Sequence, residues 1–399
     1  MNFFLLAVIK AVVVVAVLML TLLYLQFVER KVIAHIQVRL GPYRVGPHGI
    51  LQPVADALKL LTKEDLLPPG VNRFFYLLAP FLAISLSLIS IAVIPFGPTI
   101  DVAGVRTSMQ LTDLNIGVIF VLAISSLTVY GVVLAGWSSN SKYPLLGALR
   151  SSAQMISYEL PLGMAVASAL LLSNSLSLRE IVESQNHYYV GVFPAWNVFR
   201  LPFPQIISFI LFLIAVFAET NRVPFDLPEA ESELVAGFHT EYSAMKFAGF
   251  FMAEYANMIT VTCMATTLFL GGWLPLWPER YGSNYFPALL FAFFGLIALY
   301  HGINPAHLRD RWSLQVFGLI LIGIALVFLI PAVRMVLLPL FWFLAKTGFL
   351  LFTFIWVRGT LPRLRYDQLM RFAWSFMFPV AAANLLLTGL LVAVFPGVR

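Results

Sequence analysis

Apolar residues along the chain fall in blocks of about 20, without the two-residue alternation of strands. Ten blocks stand out: 3–28, 74–94, 116–137, 152–172, 203–218, 244–271, 287–300, 314–332, 335–357 and 373–395. A hydrocarbon core about 30 Å thick needs about 20 helical residues to cross it. The pattern therefore predicts an all-α, polytopic transmembrane protein, a single integral membrane domain over 1–399 with about ten spans. Blocks 203–218 and 287–300 are the weakest, and 287–300 is short enough to be a re-entrant segment instead. No charged leader precedes the first block and Glu29-Arg30-Lys31 follows it directly, which predicts a retained anchor rather than a signal peptide.

Composition agrees with that class. Of 399 residues 60% are hydrophobic and 11% charged, with a mean hydropathy of +0.89, against about 25% charged in an ordinary soluble domain. A single cysteine, Cys263, excludes a disulfide framework and a thiolate cluster, so any redox centre belongs to a partner. The net charge of +6 reads as topology-setting loop charge rather than as a nucleic-acid surface. With the N-terminus outside, inside loops hold 17 of the 25 basic residues and outside loops 6, which predicts both termini outside. The same loops carry 12 of the 19 carboxylates. Three are long, 29–73, 219–243 and 358–372, and read as a face built to dock a partner. No internal repeat or matched pair of broken helices points to a carrier.

The first inside loop contains Arg39-Leu40-Gly41-Pro42-Tyr43-Arg44-Val45-Gly46-Pro47-His48-Gly49, whose glycines and prolines predict irregular backbone. It lacks the Gly-Lys-Ser/Thr of a phosphate loop. Beyond it Leu51, Val54, Leu58 and Leu61 share one helical face, with Gln52, Asp56, Lys59 and Lys63 opposite. This amphipathic helix is too short to span and is expected in the interface plane. It is either the surface finish of a loop or one wall of an entrance for a lipid-soluble substrate.

The second inside loop places Glu219, Asp226, Glu229, Glu231, Glu233 and Glu241 within 23 residues, beside the single Arg222. Acids this close do not all stay ionised in a poorly solvated site, the property that proton transfer uses. The alternative is a solvated acidic loop, but Pro224, Phe225, Leu227, Pro228, Leu234 and Val235 interleave apolar groups. Two more acids, Glu159 and Glu254, fall inside blocks, where a carboxylate is costly and points to a relay. Lys346, mid-block, is a relay group or the ion-pair partner of one of these glutamates. The arginines of the last inside loop, Arg358, Arg363, Arg365 and Arg371, set topology, bind the acidic loop, or hold negative charge on a reduced substrate.

These runs, 39–64, 136–159, 218–255 and 352–370, resemble the H-subunit family of proton-pumping NADH:quinone oxidoreductase, respiratory complex I. The most specific stretch is Glu219-Thr220-Asn221-Arg222-Val223-Pro224-Phe225-Asp226-Leu227-Pro228-Glu229-Ala230-Glu231. Only 279–334 falls outside the resemblance; eight spans are usual in the family, and this stretch looks like an inserted hairpin of two. The resemblance implies a membrane component without cofactor of its own, beside peripheral-arm subunits carrying FMN and iron–sulfur clusters and among other membrane-arm subunits, most simply in a bacterial inner membrane. It implies a quinone tunnel lined by Arg39, Gln52, Asp56, Arg358, Arg363, Arg365 and Asp367. The proton relay it implies comprises Glu159, Glu219, Asp226, Glu229, Glu231, Glu233, Glu241 and Glu254. Some relatives have an acid where this chain has Ser126, so that step runs through water or is omitted. The competing readings are the membrane anchor of an energy-converting hydrogenase and a stand-alone ion carrier.

Overall fold

The computed structural model describes residues 3–102, 105–226, 236–303 and 310–395. Thirteen helices are described: α1 (Phe3–Ile36), α2 (Gln52–Thr62), α3 (Arg73–Ser90), α4 (Gly117–Ser138), α5 (Lys142–Ser173), α6 (Leu178–Ser184), α7 (Ile206–Glu219), α8 (Ala244–Phe269), α9 (Phe286–Ile303), α10 (Asp310–Leu329), α11 (Pro331–Thr360), α12 (Tyr366–Phe372) and α13 (Phe378–Val394). A π-helical turn, Ala373–Met377, joins the last two. Extended structure is confined, among the described residues, to two short antiparallel pairs in connecting loops. The all-α transmembrane class is as the apolar blocks predict, and eight helices are long and apolar enough to cross a membrane.

The remaining two blocks differ from the other eight. α7 has 14 residues, about 21 Å at about 1.5 Å per residue, shorter than the ~30 Å hydrocarbon core. α8 is long enough, at 26 residues, but Lys246, Glu254, Asn257 and its threonines dilute its apolar character. Block 287–300 is a continuous helix of 18 residues. α1, with 34 residues, is about 51 Å long, so Glu29, Arg30 and Lys31 ride on the helix instead of beginning a loop.

α3, α4, α5, α7 and α8 pack into the centre of the bundle, with α1 and α11 against α8 and α13 against α5. Tyr158, Phe212, Phe269 and Phe343 are fully buried there. Gly271 and Gly272, at φ +70° and +51°, turn the chain after α8. A Cβ on Gly271 would lie 2.4 Å from the Trp196 ring, so only glycine fits. Lys346 sits at this turn and donates to the carbonyls of Leu270 (2.7 Å), Gly272 (2.9 Å) and Leu274 (2.7 Å), with its ammonium 4.0 Å from the centre of the Trp196 ring. Of the two roles open to Lys346, an ion pair with Glu159 or Glu254 is not formed; carbonyl oxygens of the turn after α8 take its place, at the end where the helix dipole favours a cation.

Candidate functional site

The site grows from the end of α7. Because that helix is short, Glu219 and the turn after it lie inside the bundle: Glu219, Thr220, Asn221, Arg222 and Asp226 are all buried. Gln154 of α5 holds the turn at both ends, its Nε2 donating to the carbonyls of Ala218 (2.8 Å) and Phe225 (2.8 Å). Ser151 donates to Asn221 Oδ1 (3.3 Å), and the Phe225 ring packs edge-on against Tyr158, 5.4 Å between centroids. The turn thus directs neighbouring side chains to different places.

Arg222 and Asp226 face the charged end of α1 and α11. There the carboxylate of Glu29 accepts hydrogen bonds from Arg358, from Arg222 Nη1 (3.5 Å) and from the hydroxyl of Tyr255 (2.5 Å). The Arg222 guanidinium lies 4.2 Å from the centre of the Tyr255 ring. Two guanidinium groups thus converge on one carboxylate. Four residues further on, Asp226 accepts from Arg363 (2.9 Å), and Leu364 N donates to Pro224 O (3.0 Å), tying the segment before α12 to the turn.

Glu219 points the other way, into the bundle. Two small cavities, of about 30 and 20 Å³, share Glu219 and Asn257 in their walls. Glu254, Thr220, Asn221 and Thr128 complete the first; Ser90, Ser125 and Thr260 supply polar groups to the second. Ser125 lies beside Glu219 in the second cavity, and the Glu219 Oε2 has no hydrogen-bond partner among the described residues. The Thr260 hydroxyl is likewise buried and unpartnered there. Glu159 of α5 is half-buried and accepts from Ser126 of α4, so the hydroxyl at that position touches a carboxylate directly.

The remaining predicted positions are spread along the same end. Asp56 accepts from Arg30 of α1 (2.7 Å) and from Gln52 (2.9 Å), fastening α2 to α1. Arg39, Arg365 and Asp367 are exposed and lie outside the buried cluster. Glu241 is half-buried, with its backbone carbonyl taking the Tyr76 hydroxyl (2.7 Å). Beside it Tyr242 stacks on Tyr76, and burial pushes its hydroxyl up to about 12, so it stays a neutral hydrogen-bonding group near neutral pH. Glu229, Glu231 and Glu233 lie outside the described residues. Sequence reasoning did not pick out Glu29, Tyr255 or Asn257. The one signal for Glu29 was an acid closing an unusually long apolar run.

Residues 9–389 match the NADH dehydrogenase family. A protein of Solibacter usitatus (strain Ellin6076), the first of its numbered H subunits of NADH-quinone oxidoreductase, is 66% identical over 392 residues, covering 98% of each chain. The chain belongs to the H-subunit family of NADH-quinone oxidoreductase. Further members show the same extent of similarity: the second numbered H subunit of Koribacter versatilis (strain Ellin345) is 48% identical over 98% of each chain. Its counterpart from Geobacter metallireducens (strain ATCC 53774 / DSM 7210 / GS-15), also the second numbered, is 45% identical over 98% of this chain and 97% of its own. Membership makes the chain an integral membrane subunit of the complex I type. Among the described residues no three His, Cys, Asp or Glu side chains gather as a metal site.

Proposed function

We propose that this chain forms much of the wall of a quinone-binding tunnel and the first part of a proton path in a proton-translocating NADH:quinone oxidoreductase. The observation that carries this reading is the turn after α7. Within eight residues it sends Arg222 and Asp226 to a buried cluster of charged groups and Glu219 into polar cavities within the bundle.

Reducing a quinone to a quinol consumes two electrons and two protons, so electron arrival and proton supply must meet at one place. In this reading the electrons come from NADH through FMN and iron–sulfur clusters of peripheral-arm subunits docked on the charged face. The guanidinium groups of Arg222 and Arg358 favour the quinone head as negative charge develops on its oxygens. Arg358, Arg363, Gln52 and Asp56 shape that side, with Arg39, Arg365 and Asp367 completing the wall against the partner. α2 and α1 form the entrance from the bilayer. Glu219, Glu254 and Glu159 carry protons onward, joined by Asp226, Glu241 and the acids Glu229, Glu231 and Glu233. With ten crossings, counting α7 and α8, both termini lie on the outer side of a bacterial inner membrane.

The test uses the assembled complex in membrane vesicles. Glu219→Gln should abolish most quinone-dependent NADH oxidation and the accompanying proton uptake, while NADH oxidation by an artificial acceptor at the peripheral arm continues. Wild-type rates in all three assays would overturn the reading.

A further inference from the structure

Thr260 stands apart from the other threonines of α8. Thr262 donates to the carbonyls of Met258 (2.9 Å) and Ile259 (2.8 Å), Thr266 to that of Thr262 (2.9 Å) and Thr267 to that of Met264 (2.9 Å). These are the bonds a threonine hydroxyl makes to its own helix. The Thr260 hydroxyl, in a residue 3% exposed, makes no hydrogen bond to any described residue, and Thr260 lines the second cavity. Glu219, whose Oε2 is unpartnered among the same residues, lines that cavity too. Two buried and unsatisfied oxygens thus belong to the walls of one space.

The space fits one water. At about 20 Å³ it exceeds the ~10–15 Å³ that a single buried water needs. Such waters join polar groups that would otherwise be costly to bury unsatisfied. Ser90 and Ser125 add acceptors to the wall, because their hydroxyls donate to the carbonyls of Leu86 (3.0 Å) and Leu122 (3.0 Å) and keep oxygen lone pairs free. Along α3 and α8 the second cavity takes later residues than the first, and along α4 earlier ones. The two therefore follow each other along the bundle, with Glu219 and Asn257 at their junction.

We propose that the second cavity is a binding site for a single water molecule, which Thr260 holds against Glu219 Oε2, and that Thr260 is thereby a positioning residue for this acid. Its part in proton exchange rests on the reading of Glu219 as a relay acid. When Glu219 is ionised, the water accepts from the Thr260 hydroxyl and donates to the carboxylate. When Glu219 carries a proton, the carboxyl donates to the water, which donates in turn to Thr260. Water and hydroxyl each serve as donor and acceptor, so both states of the acid stay hydrogen-bonded. A proton exchanged through the first cavity then leaves no orphaned oxygen on the far side of the carboxyl group.

The experiment uses the assembled complex in membranes. In infrared difference spectra between its oxidised and quinol-reduced forms, the carboxyl C=O band lost in Glu219→Gln reports this acid. Thr260→Val keeps the shape and loses the hydroxyl. It should shift that band to higher frequency and slow coupled quinone reduction about fivefold, the scale of one net hydrogen bond. NADH oxidation by an artificial acceptor should not change, and Thr260→Ser should restore band and rate. A band that Thr260→Val leaves unmoved overturns the proposal, as does a slowed rate that Thr260→Ser does not restore. A density map of the complex that resolves waters should show one within hydrogen-bond reach of Thr260 Oγ1 and Glu219 Oε2, and its absence overturns the site. If Glu219→Gln slows the reaction while Thr260→Val changes neither rate nor band, only the role of Thr260 is wrong. If Glu219→Gln itself slows nothing and removes no band, the relay reading has failed, and the map alone decides the water site.

Discussion

Glu29 and Glu219 are both buried carboxylates at the charged end of the bundle, yet their surroundings are opposite. Glu29 is saturated: two guanidinium groups and a phenol surround it. Glu219 has a serine on one side, a second carboxylate nearby and an oxygen, unpartnered among the described residues, beside a cavity. A carboxylate whose charge is fully compensated has little reason to exchange its proton. One that is poorly compensated and next to space for water can do so at low cost. The first therefore anchors three helices, and the second is the one that, in the proposed function, handles protons.

The strongest way to break this comparison is to remove the anchor. Glu29→Ala leaves Arg222 and Arg358 facing each other, a loss of about 3–5 kcal/mol expected when one partner of a buried ion cluster is deleted. Thermal aggregation of the purified complex, or the amount of this chain retained in the membrane, would show it. Retention at the wild-type level would remove Glu29 from the anchoring role. Next comes Glu219→Gln, expected to lower coupled quinone reduction on the order of 10²-fold, the scale of a lost acid–base group, with stability nearly unchanged. Destabilisation matching that of the Glu29 variant would erase the distinction between the two acids.

Asp226→Asn sharpens the boundary between them. Its partner Arg363 is 46% exposed, so the pair should contribute only about 1 kcal/mol, measurable in a double-variant cycle with Arg363→Ala. The smallest effect is expected from Ser126→Ala. Glu159 is half-buried, so water can replace the lost hydroxyl; stability should move by less than about 1 kcal/mol and proton uptake only slightly. A loss as large as that of Glu219→Gln would make Ser126 an obligatory relay member.

The helical blocks and the acidic segment were legible in the chain because each is a local pattern. Block length gives the spans, and the apolar residues among the acids mark the burial of Glu219 and Asp226. The Glu29 cluster was not legible in the same way. Its partners lie 193, 226 and 329 residues away, so nothing near Glu29 announces them. The partners of Lys346 were hidden for a different reason. A buried lysine suggests a carboxylate partner, but here the partners are backbone carbonyls, which every residue carries and no sequence pattern marks. The role of Gln154, bridging Ala218 and Phe225 through their carbonyls, was hidden for the same reason.

The short α7 has an electrical consequence. A helix of about 21 Å in a hydrocarbon layer of about 30 Å leaves roughly a third of the insulating thickness to be made up by polar groups around the turn at Glu219. Moving one charge across the full layer costs about 2.3 kcal/mol per 100 mV. A proton reaching Glu219 by the proposed route has entered the region where most of that voltage still lies ahead. The acid then works as an inner terminal, and the membrane potential acts chiefly on the steps that follow it.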